Sequence, residues 1–316
     1  MTILPNNKPL VSVIVTTYNA AGSIKRLLDS VYAQQGLGTV FDLEVIVADD
    51  CSSDHTVEII GQQFPQVRLL VNSQNSGGPN KGRNRALNEA KGQWIAIADD
   101  DDEWLPSRIM RQLQAAAKAP IVSSGYRYED LSHGRSTDRV SSFQHTDNDG
   151  FAYFEKNKTF KQLLSRDNKR QSCYIGSLFF SASLKDRLFE ETYGWLDVDW
   201  IIRLFEDNDS VEVCQPLYIR WFYGEANLSM NPRYRADDYQ GAIDCLQRYA
   251  AQYPVETAIG IKRANGSYAR YHYLKGDMKH ARHYFCKAGF SLKNLVYWLT
   301  TFVGSNWVKK HFNVFG

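Results

Sequence analysis

Five short apolar runs, separated by stretches with helical spacing, limit what this chain can fold into more than any other feature. Residues 10–16 (Leu-Val-Ser-Val-Ile-Val-Thr), 43–48, 67–72, 94–98 and 120–128 read as buried strands. After the first run, Ile24, Leu27, Leu28, Val31 and Tyr32 recur on one helical face. Ser53 or Asp54 can cap a second helix that runs through Val57, Ile59 and Ile60 to Phe64. Further helices are expected over residues 81–90 and 109–118. This alternation predicts right-handed βαβ units around a mostly parallel sheet. Beyond residue 131 the regularity fades. Residues 132–148 read as a polar loop, 174–181 as a strand, and Trp200 to Phe205 as the start of an amphipathic helix. From residue 237 the pattern is helical, and residues 269–289 are spaced like one helix-turn-helix.

The fourth run, Trp94-Ile-Ala-Ile-Ala98, leads directly into Asp99-Asp-Asp-Asp-Glu103. Acids clustered at the mouth of a buried strand repel and raise one another's pKa unless something neutralises them. A divalent cation with oxygen ligands is the natural partner, typically shared between one or two carboxylates and substrate phosphates. The position also matters, because open α/β sheets bind ligands beyond the carboxyl ends of their strands.

The five cysteines (51, 173, 214, 245, 286) are scattered and odd in number, which argues for free thiols in a reducing compartment. Residues 1–9 lack the apolar core of a signal peptide, and no run reaches the roughly 18 apolar residues of a membrane span. A cytoplasmic protein is expected. The net charge of +2 hides an asymmetry: residues 258–316 carry ten Lys/Arg against Asp277 alone, which leaves the remainder acidic. With Trp298, Trp307 and ten other aromatic residues, this basic tail suggests an anionic membrane surface, the inner face of the plasma membrane, rather than nucleic acid. None of the seven histidines shows a metal-ligand pattern in the sequence.

Four segments in series resemble the nucleotide-diphosphosugar glycosyltransferases of the inverting family-2 type. They are Val11-Ser-Val-Ile-Val-Thr-Thr-Tyr-Asn19, Val47-Ala-Asp-Asp-Cys-Ser-Ser-Asp-His-Thr56, Asn75-Ser-Gly-Gly-Pro-Asn-Lys-Gly-Arg-Asn84 and Gly92-Gln-Trp-Ile-Ala-Ile-Ala-Asp-Asp-Asp-Asp-Glu-Trp104. The resemblance implies a GT-A fold, an α/β architecture with a mixed sheet flanked by helices. The expected organisation is a catalytic domain over residues 1–236, with its donor half at 1–110 and its acceptor half at 111–236, and a helical extension over 237–316.

The resemblance also implies roles. Thr16, Thr17, Tyr18 and Asn19 would hold the nucleobase, and Asp50 would accept a hydrogen bond from uracil. Arg83 would fork onto the diphosphate. Asp99 and Asp101 match the signature acids, with Asp100 beside them at the nucleotide sugar and Asp101 as direct ligand of Mg²⁺ or Mn²⁺. Inversion in one displacement needs a carboxylate base. In Gly194-Trp-Leu-Asp-Val-Asp-Trp200, Asp197 matches it and Asp199 follows, although Leu196 replaces the family's usual Glu and leaves both acids open. The implied donor is a UDP-sugar and the implied acceptor a glycan or lipid-linked sugar in cell-surface polysaccharide synthesis. A sugar nucleotidyltransferase and an inert nucleotide-sugar binding module are the alternatives. The first normally has a glycine-rich, lysine-bearing loop after the first strand, where Thr17-Tyr-Asn-Ala20 stands here.

Overall fold

A computed structural model of the chain describes residues 8–141, 146–167, 171–192, 197–223 and 232–303. The chain divides into two compact units, residues 1–160 with 169–227, and residues 161–168 with 228–316.

The first unit carries the sheet. Its strands are β1 (Leu10–Thr17), β2 (Asp42–Asp49), β3 (Arg68–Val71), β4 (Trp94–Asp99), β5 (Asp102–Trp104), β6 (Ile121–Asp130), β7 (Arg135–Arg139), β8 (Phe151–Phe154), β9 (Phe179–Ser181) and β10 (Ser210–Phe222). The order is β3-β2-β1-β4-β9-β6-β10-β5, with β7 on β6 and β8 on β10. β1, β2, β3 and β4 pair in parallel, as do β6 and β10, whereas β5, β7, β8 and β9 pair antiparallel. Val11, Val13, Ile14 and Val15 of β1 are fully buried. A parallel strand covered on both faces requires such an unbroken apolar run.

The helices of this unit are α1 (Ile24–Tyr32), α2 (Thr56–Gln63), α3 (Asn80–Glu89), α4 (Arg108–Ala116), α5 (Lys158–Leu164), whose end passes into the second unit, and α6 (Val198–Phe205). α1 buries Ile24, Leu27, Leu28 and Val31, the stripe its spacing predicts. α3 lies close against the sheet. A Cβ on Gly82 would stand 3.1 Å from Thr16 Cγ2 and 3.2 Å from Ala48 Cβ, so glycine permits this approach to the ends of β1 and β2.

The first half of the chain follows the predicted alternation closely; the second departs from it. The expected loop at 132–148 contains β7, whose residues are all exposed and which pairs along β6. The expected strand at 174–181 is a 3₁₀ turn, Ile175–Ser177, followed by the short β9. β10 was not visible in the sequence because Pro216 and two irregularities in its pairing break the alternation of buried and open positions.

The second unit holds α7 (Pro232–Arg248), α8 (Pro254–Lys275), α9 (Met278–Lys287) and α10 (Leu292–Thr300). The helical pattern expected from residue 237 therefore begins at Pro232. Ala269, Tyr273, Ala281, Phe285 and Tyr297 form its aromatic-rich core. α8 ends at Gly276 in the left-handed conformation (φ 84°), and Asp277 caps α9. That is the helix-turn-helix read from the spacing of residues 269–289.

Candidate active site

Strand register gathers the predicted donor-site residues. Thr16 of β1 stands opposite Asp99 of β4, and Thr17 opposite Asp49 of β2, so three strands end at one level. β2 lies on one side of β1 and β4 on the other, the topological switch point where such sheets bind ligands. Two non-glycine residues just past these ends have positive φ, Asn19 (53°) and Cys51 (65°). Asn19 tolerates this conformation and joins the two loops: its side-chain oxygen accepts from Ser53 N at 2.8 Å, and its N–H donates to Ser52 Oγ at 2.8 Å. Thr17 is buried, while Tyr18 presents a half-exposed ring. Asp50 is buried and organises the next loop. Its carboxylate accepts from Asn72 Nδ2 at 2.8 Å and from Ser76 N at 3.0 Å.

Arg83, on the buried face of α3, meets the acid run. Its guanidinium lies 3.3 Å from Asp99 Oδ1, donates to Asn80 Oδ1 at 3.1 Å, and sits over the Phe189 ring at 5.3 Å. α3 also fastens residues 189–191. Asn84 exchanges hydrogen bonds with the Phe189 backbone (2.7 and 3.0 Å), and Asn80 donates to the Glu190 carbonyl at 2.9 Å. Phe189 then stacks on Trp200 of α6, centroids 4.2 Å apart. A packed series, Asp99 to Arg83 to Phe189 to Trp200, thus links the acid run to the helix that begins just after Asp197. Trp200 is buried in this series.

The four aspartates differ sharply. Asp100, half-buried, is pushed up to about 7 by burial and by Asp101; the Tyr18 N–H at 3.4 Å opposes this. Asp101 is also raised, by burial and by Asp99, against the pull of Arg220 and Arg26. Asp102, on β5, is buried and raised well above the carboxylate range, chiefly by burial. Its Oδ2 has no hydrogen-bond partner, and a Cβ on Gly176 would come within 2.8 Å of it. Around it lie the fully buried Tyr218 and Arg108; the latter donates to the Gly176 carbonyl at 2.6 Å and stacks on Trp104 at 4.0 Å. Asp102 therefore belongs to a core cluster. Asp99, Asp100 and Asp101 stay at the carboxyl end of β4, the first two half-buried and Asp101 exposed.

The model of the Glycosyl transferase family 2 domain matches residues 12–188.

The chain belongs to glycosyl transferase family 2.

Among relatives, the succinoglycan biosynthesis protein ExoO of Rhizobium meliloti is 38% identical over 35% of this chain and 31% of its own length. The Staphylococcus aureus poly(ribitol-phosphate) β-N-acetylglucosaminyltransferase TarS is 44% identical over 29% of this chain and 16% of its own length. The chain thus spans a third or less of these two relatives. A glycosyltransferase of Haemophilus influenzae is 26% identical over 87% of this chain and 89% of its own. The fold is that of a GT-A glycosyltransferase. Crystalline S. aureus TarS 1-349 in complex with UDP superposes with a TM-score of 0.62 at 17% identity, covering 92% of this chain and 80% of that one. The mannosyltransferase PcManGT of Pyrobaculum calidifontis, in complex with GDP-Man and Mn²⁺, superposes with a TM-score of 0.55 at 18% identity, covering 95% of this chain and 81% of that one.

The family 2 domain leaves two further groups of residues to place. Asp197 is half-buried at the start of α6, where its carbonyl accepts from Ile201 N at 2.8 Å. Asp199 is buried and accepts from Arg203 Nε at 2.9 Å, and Arg203 also donates to the Leu188 carbonyl at 2.8 Å.

Three arginines near the acid run were missed. Arg26 of α1 donates to the Asp101 carbonyl at 2.8 Å and to Tyr223 Oη at 2.9 Å, and lies over Trp221 at 5.1 Å. Arg220 of β10 stands opposite Asp102 in register and over the Tyr126 and Tyr174 rings. Arg108 holds the core cluster. No local pattern marks Arg220, because the pairing of β10 with β5 joins segments more than a hundred residues apart.

Proposed function

We propose that this chain transfers a sugar from a UDP-sugar to a hydroxyl of a glycan or lipid-linked acceptor, with inversion, in cell-surface polysaccharide synthesis. One observation carries the reading: Asp99, Asp100 and Asp101 crowd the carboxyl end of β4 beside Arg83, with the last two held above their ordinary pKa. Carboxylates in that condition favour a cation. Among the described residues they do not close into a three-ligand cage. An open donor set suits a metal that completes its shell with phosphate oxygens. Mg²⁺ or Mn²⁺ fits this hard-oxygen set, with Asp101 as direct ligand; bound there it supplies Lewis-acid stabilisation of the diphosphate.

The protein's own residues do the rest. The exposed Tyr18 ring stacks on the base between Thr16 and Asn19, and Asp50 accepts from its N–H. Arg83 forks onto the phosphates. Asp197 takes the acceptor's hydroxyl proton as that oxygen bonds to the anomeric carbon and the bond to the nucleoside diphosphate breaks. The complexes of the structural neighbours with UDP and with GDP-Man and Mn²⁺ support a nucleotide-sugar donor, and family membership favours transfer over nucleotidyl chemistry or inert binding.

The same reading puts the chain at the inner face of the plasma membrane. No helix among the described residues is long and apolar enough to cross a membrane. Around α10, however, Phe290, Leu292, Val296, Leu299, Phe302 and Val303 are exposed, with Lys287 and Lys293 near them in sequence. Apolar groups flanked by basic ones suit an anionic bilayer surface. The remaining residues of the predicted membrane segment, 304–316, lie outside the described residues.

The test is a panel of nucleoside diphosphate sugars, assayed for donor hydrolysis with and without Mg²⁺ or Mn²⁺. Metal-dependent release of nucleoside diphosphate, lost in Asp101→Ala, is expected. Full turnover in excess chelator would overturn the metal role.

A further inference from the structure

The turn between α8 and α9 brings together three side chains that the sugar-transfer reading does not use. His272 lies one turn before the end of α8, Asp277 caps α9, and His280 sits in the first turn of α9. Their ligand atoms all lie within 4.8 Å of one another, the one such grouping of three among the described residues. His272 Nδ1 is 3.2 Å from Asp277 Oδ2, and His280 Nδ1 is 2.6 Å from the same oxygen.

Helix capping does not account for this arrangement. The cap needs one carboxylate oxygen, and Asp277 Oδ1 provides it by accepting from His280 N at 3.2 Å. The second oxygen is then left with two imidazoles converging on it. They stack on each other with centroids 5.1 Å apart, and His272 is further braced by Tyr284 (5.7 Å, stacked) and by Tyr268 (4.6 Å, edge-on).

Two imidazoles and one carboxylate form a recurrent donor set for zinc-class ions, with ligand bonds of about 2.0–2.2 Å. In a tetrahedral shell of that size neighbouring donor atoms stand about 3.3 Å apart. The His272 to Asp277 separation already matches, and His280, whose side chain is mostly exposed, needs only a small outward swing. The spacing His-x4-Asp-x2-His spans a helix end, a left-handed glycine and a helix start, which is why the histidines show no metal pattern when the sequence is read as linear spacing.

We propose that His272, Asp277 and His280 form a binding site for a divalent transition-metal ion of the zinc class. The ion clamps the end of α8 to the start of α9, and the site is separate from the acid run in ligands and in chemistry. Nitrogen donors select borderline ions there, whereas the strand-end carboxylates suit Mg²⁺ or Mn²⁺.

The experiment titrates the untagged full chain with Zn²⁺ by calorimetry and with Co²⁺ by visible absorption. Wild type is compared with Asp101→Ala, His280→Ala and Asp277→Asn, each checked for native helical content by circular dichroism. Asp277→Asn keeps a good capping side chain while removing the carboxylate. Wild type and Asp101→Ala should each bind one equivalent of Zn²⁺ at this site and develop the intense visible band of four-coordinate Co²⁺. His280→Ala should lose that equivalent and the band, and Asp277→Asn should bind at least tenfold more weakly. Equal Zn²⁺ stoichiometry and an unchanged Co²⁺ spectrum in wild type and His280→Ala would overturn the proposal, as would no Zn²⁺ binding by wild type.

Discussion

Two short acidic segments of the sheet unit, one at the end of β4 and one at the start of α6, distribute their carboxylates in the same way. In the first, Asp102 is locked in a core with Arg108 and Tyr218, while Asp101 is exposed. In the second, Asp199 is buried and tied to Arg203, while Asp197 stands half-buried at the helix start. Acids of one type, within a residue or two of each other, divide into one buried in the structure and one more open to solvent. The first of each pair is buried against a fixed cation, Arg108 for Asp102 and Arg203 for Asp199, whereas the second is more open to solvent.

The sharpest way to break this contrast is to empty the core side of it. Arg108→Ala removes a fully buried guanidinium and leaves the Gly176 carbonyl without its donor. A loss of roughly 3–5 kcal/mol is expected in denaturant unfolding. Asp101→Ala, on the exposed side, should change stability by less than about 0.5 kcal/mol. Comparable losses in the two variants would mean that the two acids are not divided in this way.

A slightly smaller effect concerns pH. Burial pushes Glu212 of β10 up to about 7, although it accepts from Ser172 N at 2.8 Å. The folded state therefore favours the protonated carboxyl. Its contribution is fully present below pH 4.5 and is lost as pH rises through 7, on the order of 3 kcal/mol in all. Glu212→Gln should match wild type near pH 4 and exceed it at pH 8; parallel stability curves would contradict this.

On the α6 side, Arg203→Ala should cost about 1–3 kcal/mol by uncoupling Asp199 and the Leu188 carbonyl, read as a lower thermal midpoint. An unchanged midpoint would show that this pair does not fix the helix. The smallest effect lies in the helical unit. Leu299→Ser with Val303→Ser should lower pelleting with anionic vesicles by roughly threefold to tenfold at low salt. Equal pelleting would mean that this apolar face does not meet lipid.

Residues 1–110 were legible because each element there announces itself locally. β1, β2 and β4 are short strands dense in apolar residues, α1 carries a clean buried stripe, and the acid run directly follows a strand. Residues 111–236 were much less so. β10 contains Pro216, two irregularities and partners on both edges, and its pairing with β5 brings Arg220 beside acids that nothing in its own neighbourhood mentions. The same limit applies to Asp102, which looks like its three neighbours in sequence and differs only through Gly176, Arg108 and Tyr218. The histidine cluster is hidden for a related reason, since its geometry depends on a left-handed turn at Gly276.

The division of labour at α6 is tested most directly by comparing Asp197→Asn with Asp199→Asn, measuring UDP affinity in the presence of Mn²⁺ and the rate of sugar transfer for each. Asp197→Asn should bind UDP within about threefold of wild type and transfer roughly 10²–10⁴ times more slowly, the usual contribution of a general base. Asp199→Asn should keep transfer within about tenfold of wild type. An inactive Asp199→Asn beside an active Asp197→Asn would contradict the account.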